Sequence, residues 1–206
     1  MIEISGLTKS FGDLLIWEDV TFNIEEGETV VLLGQSGTGK SVLLKHLNAI
    51  MLPDRGCVMV DGKDICSAKY VELRKLRQKF GVLFQSSALF DSISSFENIA
   101  FPLRYFTDMD EDEIHHTVEE SLKLVNLEGL GDKNTSELSG GMRKRVGLAR
   151  AIVLQPKYIL YDEPTAGLDP IISDEINDLI ISMSDELDIT SIVVTQNMNS
   201  VFLIAD

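Results

Sequence analysis

The sequence predicts an α/β fold with a largely parallel sheet core, an antiparallel β part at the N-terminus and an inserted helical subdomain. Three observations predict it. Short apolar runs at residues 28–33, 81–84, 158–161 and 191–195 have the length and composition of strands buried in a sheet. Segments at helical spacing separate them, the alternation expected of a parallel sheet with crossover helices. From Gln85 to about Leu154 the pattern is mostly helical, too long for one crossover and therefore read as an insertion.

Residues 2–5 and 20–24 alternate apolar and polar like short strands. Gly27 turns the chain into the run at 28–33, and a glycine-rich loop follows. Residues 41–51 read as a helix with Val42, Leu43, Leu47 and Ile50 at helical spacing, ended by Pro53, Asp54 and Gly56. Residues 58–60 form a strand that enters a tight hairpin-type turn at Asp61-Gly62. In the helical segment, Asp110 and Glu113 make a capping box, and Ile114, Val118, Leu122 and Val125 line one face. With 206 residues the chain makes one domain. Residues 1–85 and 155–206 are assigned to the core and residues 86–154 to the helical subdomain.

A formal charge of −15 disfavours a general affinity for nucleic acid. The basic stretch at residues 74–79 is local and reads as the solvated face of a helix. Cys57 and Cys66 form no disulfide framework and fit a reducing cytosolic compartment. Met1-Ile2-Glu3-Ile4-Ser5 shows no basic-then-apolar signal-peptide pattern, and no apolar run approaches the roughly 18 residues of a spanning helix, so a membrane role is expected to come through a partner. His115 and His116 stand among Glu111, Asp112, Glu119 and Glu120; adjacent histidines point to different helix faces, which favours a solvated surface over a metal site.

Gly34-Gln35-Ser36-Gly37-Thr38-Gly39-Lys40-Ser41 follows a buried strand and opens a helix, the context of a phosphate-binding loop. Glycines let the backbone bend until several N–H groups converge on phosphate oxygens, and the positive end of the helix dipole adds to their field. Lys40 is placed to reach the outer phosphates and Ser41 to ligate Mg²⁺. Gly34, Ser36, Gly37, Thr38, Gly39, Lys40, Ser41 and Val42 are the candidate phosphate-site residues. Asp162 ends an apolar strand, where its carboxylate can hold the Mg²⁺ shell; the adjacent Glu163 points to the other side and can polarise an attacking water.

Between these two motifs lies Leu138-Ser139-Gly140-Gly141-Met142, and Pro164-Thr165-Ala166-Gly167-Leu168-Asp169 follows Glu163. Phosphate loop, Ser-Gly-Gly and Asp-Glu strand in this order resemble the ATP-binding cassette (ABC) family over essentially the whole chain. The resemblance implies ATP and Mg²⁺ as ligands, with Gln85 at the strand end contacting Mg²⁺ and water and Phe11 stacking on adenine. It implies that Ser139, Gly140 and Gly141 close over ATP held by a second subunit in a head-to-tail homodimer. Arg143, Lys144 and Arg145 behind them read as structural or solvent-facing. The stretches at residues 85–91 and 97–103, and at 138–146 with Met142 in place of the more usual glutamine, are similar to the Mla-type ATPases of MCE-associated lipid transporters. That implies an integral-membrane permease, an MCE-domain partner, phospholipid cargo and a peripheral place on the cytoplasmic face of the inner membrane.

Two departures from the family pattern bear on this. Thr195-Gln196-Asn197 stands where the family carries a switch histidine. Gln196 can donate a hydrogen bond to a γ-phosphate but cannot carry the imidazolium charge or shuttle a proton, which predicts slow hydrolysis. The C-terminal part of the usual domain is expected to be missing after Ala205-Asp206. Two other readings stay open: an ATP-gated regulatory dimer with weak hydrolysis, and the ATPase of a different ABC transporter. A DNA-repair or chromosome ATPase is disfavoured, because neither long heptads nor zinc motifs occur.

Overall fold

The structure, a computed structural model, describes residues 1–205. Two four-stranded sheets organise it. The first is antiparallel in the order β2-β1-β4-β5, built from β1 (Ile2–Phe11), β2 (Leu14–Ile24), β4 (Arg55–Val60) and β5 (Lys63–Asp64). The second is wholly parallel in the order β3-β8-β7-β6, built from β3 (Thr29–Leu33), β6 (Phe80–Leu83), β7 (Tyr158–Asp162) and β8 (Thr190–Thr195).

The helices are α1 (Lys40–Leu47), α2 (Tyr70–Arg77), α3 (Ser95–Phe106), α4 (Glu111–Leu124), α5 (Gly140–Ile152), α6 (Pro170–Leu187) and α7 (Met198–Ile204). The parallel sheet is buried on both faces, and β7 shows how. Tyr158 and Leu160 point into a core shared with α1 and the antiparallel sheet, with Ile4, Leu43 and Val58. Ile159 and Tyr161 point into the opposite core, with Ile99, Leu122 and Val146 from α3, α4 and α5. A strand with apolar residues at every position is the consequence. Leu122 is fully buried in that second core, and truncating such a leucine costs about 2–5 kcal/mol.

Several elements differ in length from the sequence expectation. β1 and β2 are a long hairpin turning at Gly12 (φ +59°) rather than two short strands. Register shifts between Ile4 and Leu7 and onward to Ser10 break the alternation that marks a strand in sequence. α1 stops at Leu47, short of the expected Met51. Ala49 adopts φ +56°, and the guanidinium of Arg77 donates to the carbonyls of Asn48 and Ala49 (3.3 and 2.7 Å) where further helix would have used them. Ile50, taken as a helix-face residue, is therefore exposed outside the helix. Arg77 and Lys79, which bonds Asp61 at 2.5 Å, are likewise partnered rather than simply solvated.

The capping box at α4 forms as expected. The Asp110 carboxylate accepts from the amides of Asp112 and Glu113 (3.0 and 2.9 Å), and Glu113 accepts from the Asp110 amide at 2.9 Å. The turn at Asp61-Gly62 joins β4 to β5 as a hairpin.

Candidate nucleotide site

The four parallel strands all deliver their carboxyl ends to one edge of the sheet, the edge where open α/β sheets bind ligands. β3 is followed by the loop 34–39, β6 by Gln85, β7 by Glu163 and β8 by Gln196. A cleft of about 230 Å³ lies there, lined by Ser36, Gly37, Gly39, Lys40, Ser41, Val42, Gln85, Glu163 and Gln196, with Ile16 from β2. Residues from across the sequence thus converge by strand topology alone.

Gly39 (φ +91°) lets the loop enter α1 while pressed against β2. A Cβ at this position would stand 2.3 Å from Ile16 Cγ2 and 3.0 Å from Trp17 Nε1. Gly37 (φ +84°) faces open space. Lys40, 8% exposed, donates to the carbonyls of Gly34 (2.7 Å) and Gln35 (2.9 Å) and stands 3.4 Å from Glu163 Oε1. Phosphate oxygens entering the cleft would compete with these partners for its ammonium. Ser41 Oγ donates to Asp162 Oδ1 at 2.7 Å. A hydroxyl and a carboxylate at this separation are oxygen donors suited to Mg²⁺, and the cation in the cleft suits a polyphosphate; the residues fit both ligands.

Glu163 is held on every side. Its amide donates to Val194 O (2.9 Å). Its Oε2 accepts from the Gln196 amide (3.2 Å) and Thr195 Oγ1 (3.4 Å). Its backbone is left-handed (φ +49°), a conformation that costs a non-glycine residue about 1–2 kcal/mol. This twist turns Glu163 toward Lys40, while Asp162, still in the strand, faces Ser41.

Phe11, Gly34, Thr38, Ser139, Gly140, Gly141 and Asp162 lie apart from the cleft lining, Asp162 behind Ser41. Phe11 is 46% exposed at the end of β1, with Lys9 Nζ 5.5 Å from its ring centre. Thr38 instead braces the loop, donating through Oγ1 to Gln35 O at 2.9 Å, and Gly34 anchors it by accepting from Lys40 while its own amide donates to Thr195 O (3.3 Å). Ser139, Gly140 and Gly141 also stand outside the cleft. Ser139 is the N-cap of α5, accepting from the Met142 amide (3.3 Å), so the helix opens at Gly140 rather than near Met142. Gly141 is needed for packing: a Cβ there would meet Ile172 Cγ2 at 2.6 Å.

Lys144, read from the sequence as structural or solvent-facing, is the structural one of the three, buried beside the cleft. It is 4% exposed, and its ammonium donates to Gln85 O (2.6 Å) and Glu163 O (3.2 Å). Burial pushes its pKa down to about 8, against the raising effect of the Asp162 and Glu163 charges. Its flanking arginines behave as expected: Arg143 donates to Leu138 O, and Arg145 to Val125 O and Glu175. In sequence, three successive cations after a glycine pair carry no sign of which one turns inward. His116 pairs with Glu120 on the exposed face of α4.

A second groove, of about 280 Å³, lies between β6 and α3. Phe84, Ala88, Phe90 and Phe101 contribute apolar surface to it. Leu89, between Ala88 and Phe90 in the chain, packs inward against the helical core instead.

A family model described as ABC transporter matches residues 17–166. A probable ribonucleotide transport ATP-binding protein of Mycobacterium leprae is 54% identical over 200 residues, which cover 96% of this chain and 57% of that protein. The chain thus spans little more than half the length of its mycobacterial relatives. The ATP-binding protein of an intermembrane phospholipid transport system in Haemophilus influenzae is 42% identical, covering 100% of this chain and 78% of that one. A Clostridium tetani methionine import ATP-binding protein is 41% identical over 96% of this chain and 62% of its own length. Among solved structures, a dimeric ATP-binding cassette in a post-hydrolysis state with ADP and Pi superposes with a TM-score of 0.89 at 32% identity, covering 98% of this chain and 91% of that one. With this family match, these relatives and a cleft of this composition at the carboxyl edge of the parallel sheet, the chain belongs to the ABC transporter family.

Proposed function

We propose that the chain is the ATP-binding and hydrolysing subunit of an ABC transporter, working as a head-to-tail dimer beneath an integral-membrane permease. One observation carries this reading. Lys40, Ser41, Gln85, Glu163 and Gln196 meet in a single cleft, while the Ser139–Gly141 helix start, whose free amides suit an anion, lies outside it. A second copy would supply its own helix start to complete the site. In this reading Lys40 binds the outer phosphates, Glu163 accepts the proton of the attacking water, and Gln196 donates to the γ-phosphoryl oxygens. Ser41 and Asp162, with Gln85, would hold Mg²⁺, whose charge offsets that developing on the phosphate oxygens. Phe11 would offer its exposed ring to the adenine.

For cargo, we favour phospholipid moved with an MCE-type partner. The support is the likeness to the Haemophilus phospholipid-system subunit, which runs over all of this chain and 78% of that one, and the resemblance of residues 85–91 and 138–146 to the Mla-type ATPases. The mycobacterial and methionine-import relatives carry other cargo names, so lipid analysis of the complex purified from membranes is the deciding measurement. Among the described residues no helix is long and apolar enough to cross a membrane, which suits a peripheral subunit on the cytoplasmic side. Gln196 in the cleft supports one second reading, a nucleotide-gated dimer that turns over slowly.

The catalytic assignment is tested by Glu163→Gln, which keeps shape and removes the base. That variant is expected to bind Mg-ATP and to elute as a nucleotide-held dimer on size exclusion. A monomer with undiminished ATPase activity would contradict the reading.

A further inference from the structure

Three non-glycine residues in the loops that follow β6 and β7 have left-handed backbones: Ser87 (φ +62°), Ala88 (φ +45°) and Glu163 (φ +49°). Such conformations persist only where the surroundings over-determine them. Besides the bonds that Val194, Thr195 and Gln196 make to Glu163, two cations of one helix hold these loops here. Lys144 Nζ donates to Gln85 O at 2.6 Å and to Glu163 O at 3.2 Å. Arg150 Nη2 donates to Ser87 O at 2.6 Å, and its Nη1 to Ala88 O at 2.8 Å. Between them Gly147 brings α5 against the end of β6, where a Cβ would stand 2.8 Å from Leu83 Cδ1 and 3.3 Å from Ser87 Cβ. The helix that begins at the Ser-Gly-Gly motif is therefore tied by charge-assisted hydrogen bonds to both loops that carry Gln85 and Glu163.

We propose that Lys144 and Arg150 are positioning residues for hydrolysis, a cationic clamp through which α5 sets the backbone of residues 85–88 and of Glu163 together. The proposal rests on the ATPase reading above and adds to it a mechanical link. Whatever docks on the start of α5, the second subunit in that reading, acts on a helix whose interior holds the loops of the water-activating carboxylate and of Gln85. Lys144 joins both loops; Arg150 holds one. Their removal therefore has different consequences, which a role in general stability would not produce.

Hydrogen exchange of the nucleotide-free full chain separates them. Lys144→Met is expected to speed amide exchange in segments covering residues 85–88 and 163–166, and Arg150→Met only in the first. At saturating Mg-ATP, Lys144→Met should lower kcat by about tenfold with KM within about twofold of the parent, and Lys144→Arg, which keeps the charge and donors, should recover most of it. Parental kcat in Lys144→Met, an equal loss in Lys144→Arg, a rise in KM alone, or exchange that accelerates across the whole core would overturn the clamp. If Lys144→Met does not fold, Arg150→Met alone decides: exchange that is unchanged at 85–88, or raised equally at 163–166, rejects it. A parent chain that binds Mg-ATP without turnover would count against the ATPase reading, while the exchange pattern still decides whether the clamp exists.

Discussion

Lys40 and Gln196 set the two ends of the chemistry at the scale of single residues. The stem of Lys40 is buried and its ammonium shared among two carbonyls and Glu163, so Lys40→Met keeps the apolar stem and removes the charge together with its bonds to Gly34 O and Gln35 O. Loss of a charge-assisted contact to phosphate predicts Mg-ATP affinity weakened by at least about tenfold. The protein's single tryptophan, Trp17, lies against Gly39 of the loop, so intrinsic fluorescence on titration with Mg-ATP reads this directly. Binding equal to the parent would sink the role given to Lys40. Gln196 is a neutral donor where charge develops in the transition state. Replacing it by histidine with Asn197→Asp should raise kcat by roughly fivefold to tenfold at little change in ATP affinity. Asn197 caps α7 by accepting from the Asn199 amide at 3.0 Å, and aspartate can do the same, so the fold is not at issue. Equal kcat in parent and double variant at saturating Mg-ATP would show that position 196 does not limit turnover.

At the scale of elements, the packing of β2 on the loop and the groove beside β6 each carry a prediction. Gly39→Ala places a methyl group 2.3 Å from Ile16 Cγ2 in a backbone conformation that disfavours any side chain. β2 and the loop must part, which is expected to cost about 1–3 kcal/mol and to lower Tm by several degrees while weakening nucleotide binding. Unchanged thermal unfolding and unchanged binding together would mean that this contact is not tight. We propose the groove of Phe84, Ala88, Phe90 and Phe101 as the apolar surface that would meet the permease. Phe101 is half exposed, so Phe101→Asp should leave Mg-ATP affinity within about twofold and abolish capture of the membrane partner in detergent pull-down, because a charge in an apolar contact must be desolvated. Undiminished capture would place the permease elsewhere.

Asp61 acts at the scale of the whole molecule, because it joins the two sheets. At the β4–β5 turn its carboxylate accepts from Lys79 (2.5 Å), Tyr158 Oη (2.6 Å) and Lys157 (2.9 Å), and the N-terminal amine lies 3.4 Å away. Burial works to raise its pKa, but the bonds from Lys79, Tyr158 and Lys157 outweigh it and hold the carboxyl well below the ordinary 3.8. A depressed folded pKa contributes stability that is present above the unfolded value and lost as pH falls toward the folded one. Asp61→Asn should therefore lower the urea midpoint most near neutral pH, and the gap to the parent should narrow as pH drops below 3.8. A gap independent of pH would assign the effect to shape rather than charge.

The amino-acid sequence by itself determined the parallel strands, the phosphate loop and the Asp-Glu strand end. Each is local: an apolar run, glycines at fixed offsets, a carboxylate where a strand stops. It determined the α4 cap for the same reason, since Asp110 and Glu113 bond within one turn. It fell short where a neighbour from far along the chain intervenes. Arg77 takes the carbonyls that α1 would have used, and bulges in β1 hide a long hairpin behind broken alternation. Only the tertiary structure decided that Leu89 turns inward while Phe101 joins the groove, and that Lys144 is the one inward cation of three. Which face of a helix a side chain takes follows from periodicity, but what that face meets is set by packing against residues far along the chain, such as Gln85 and Glu163, 59 and 19 positions from Lys144. Contacts of that range leave no local mark in the residues that make them.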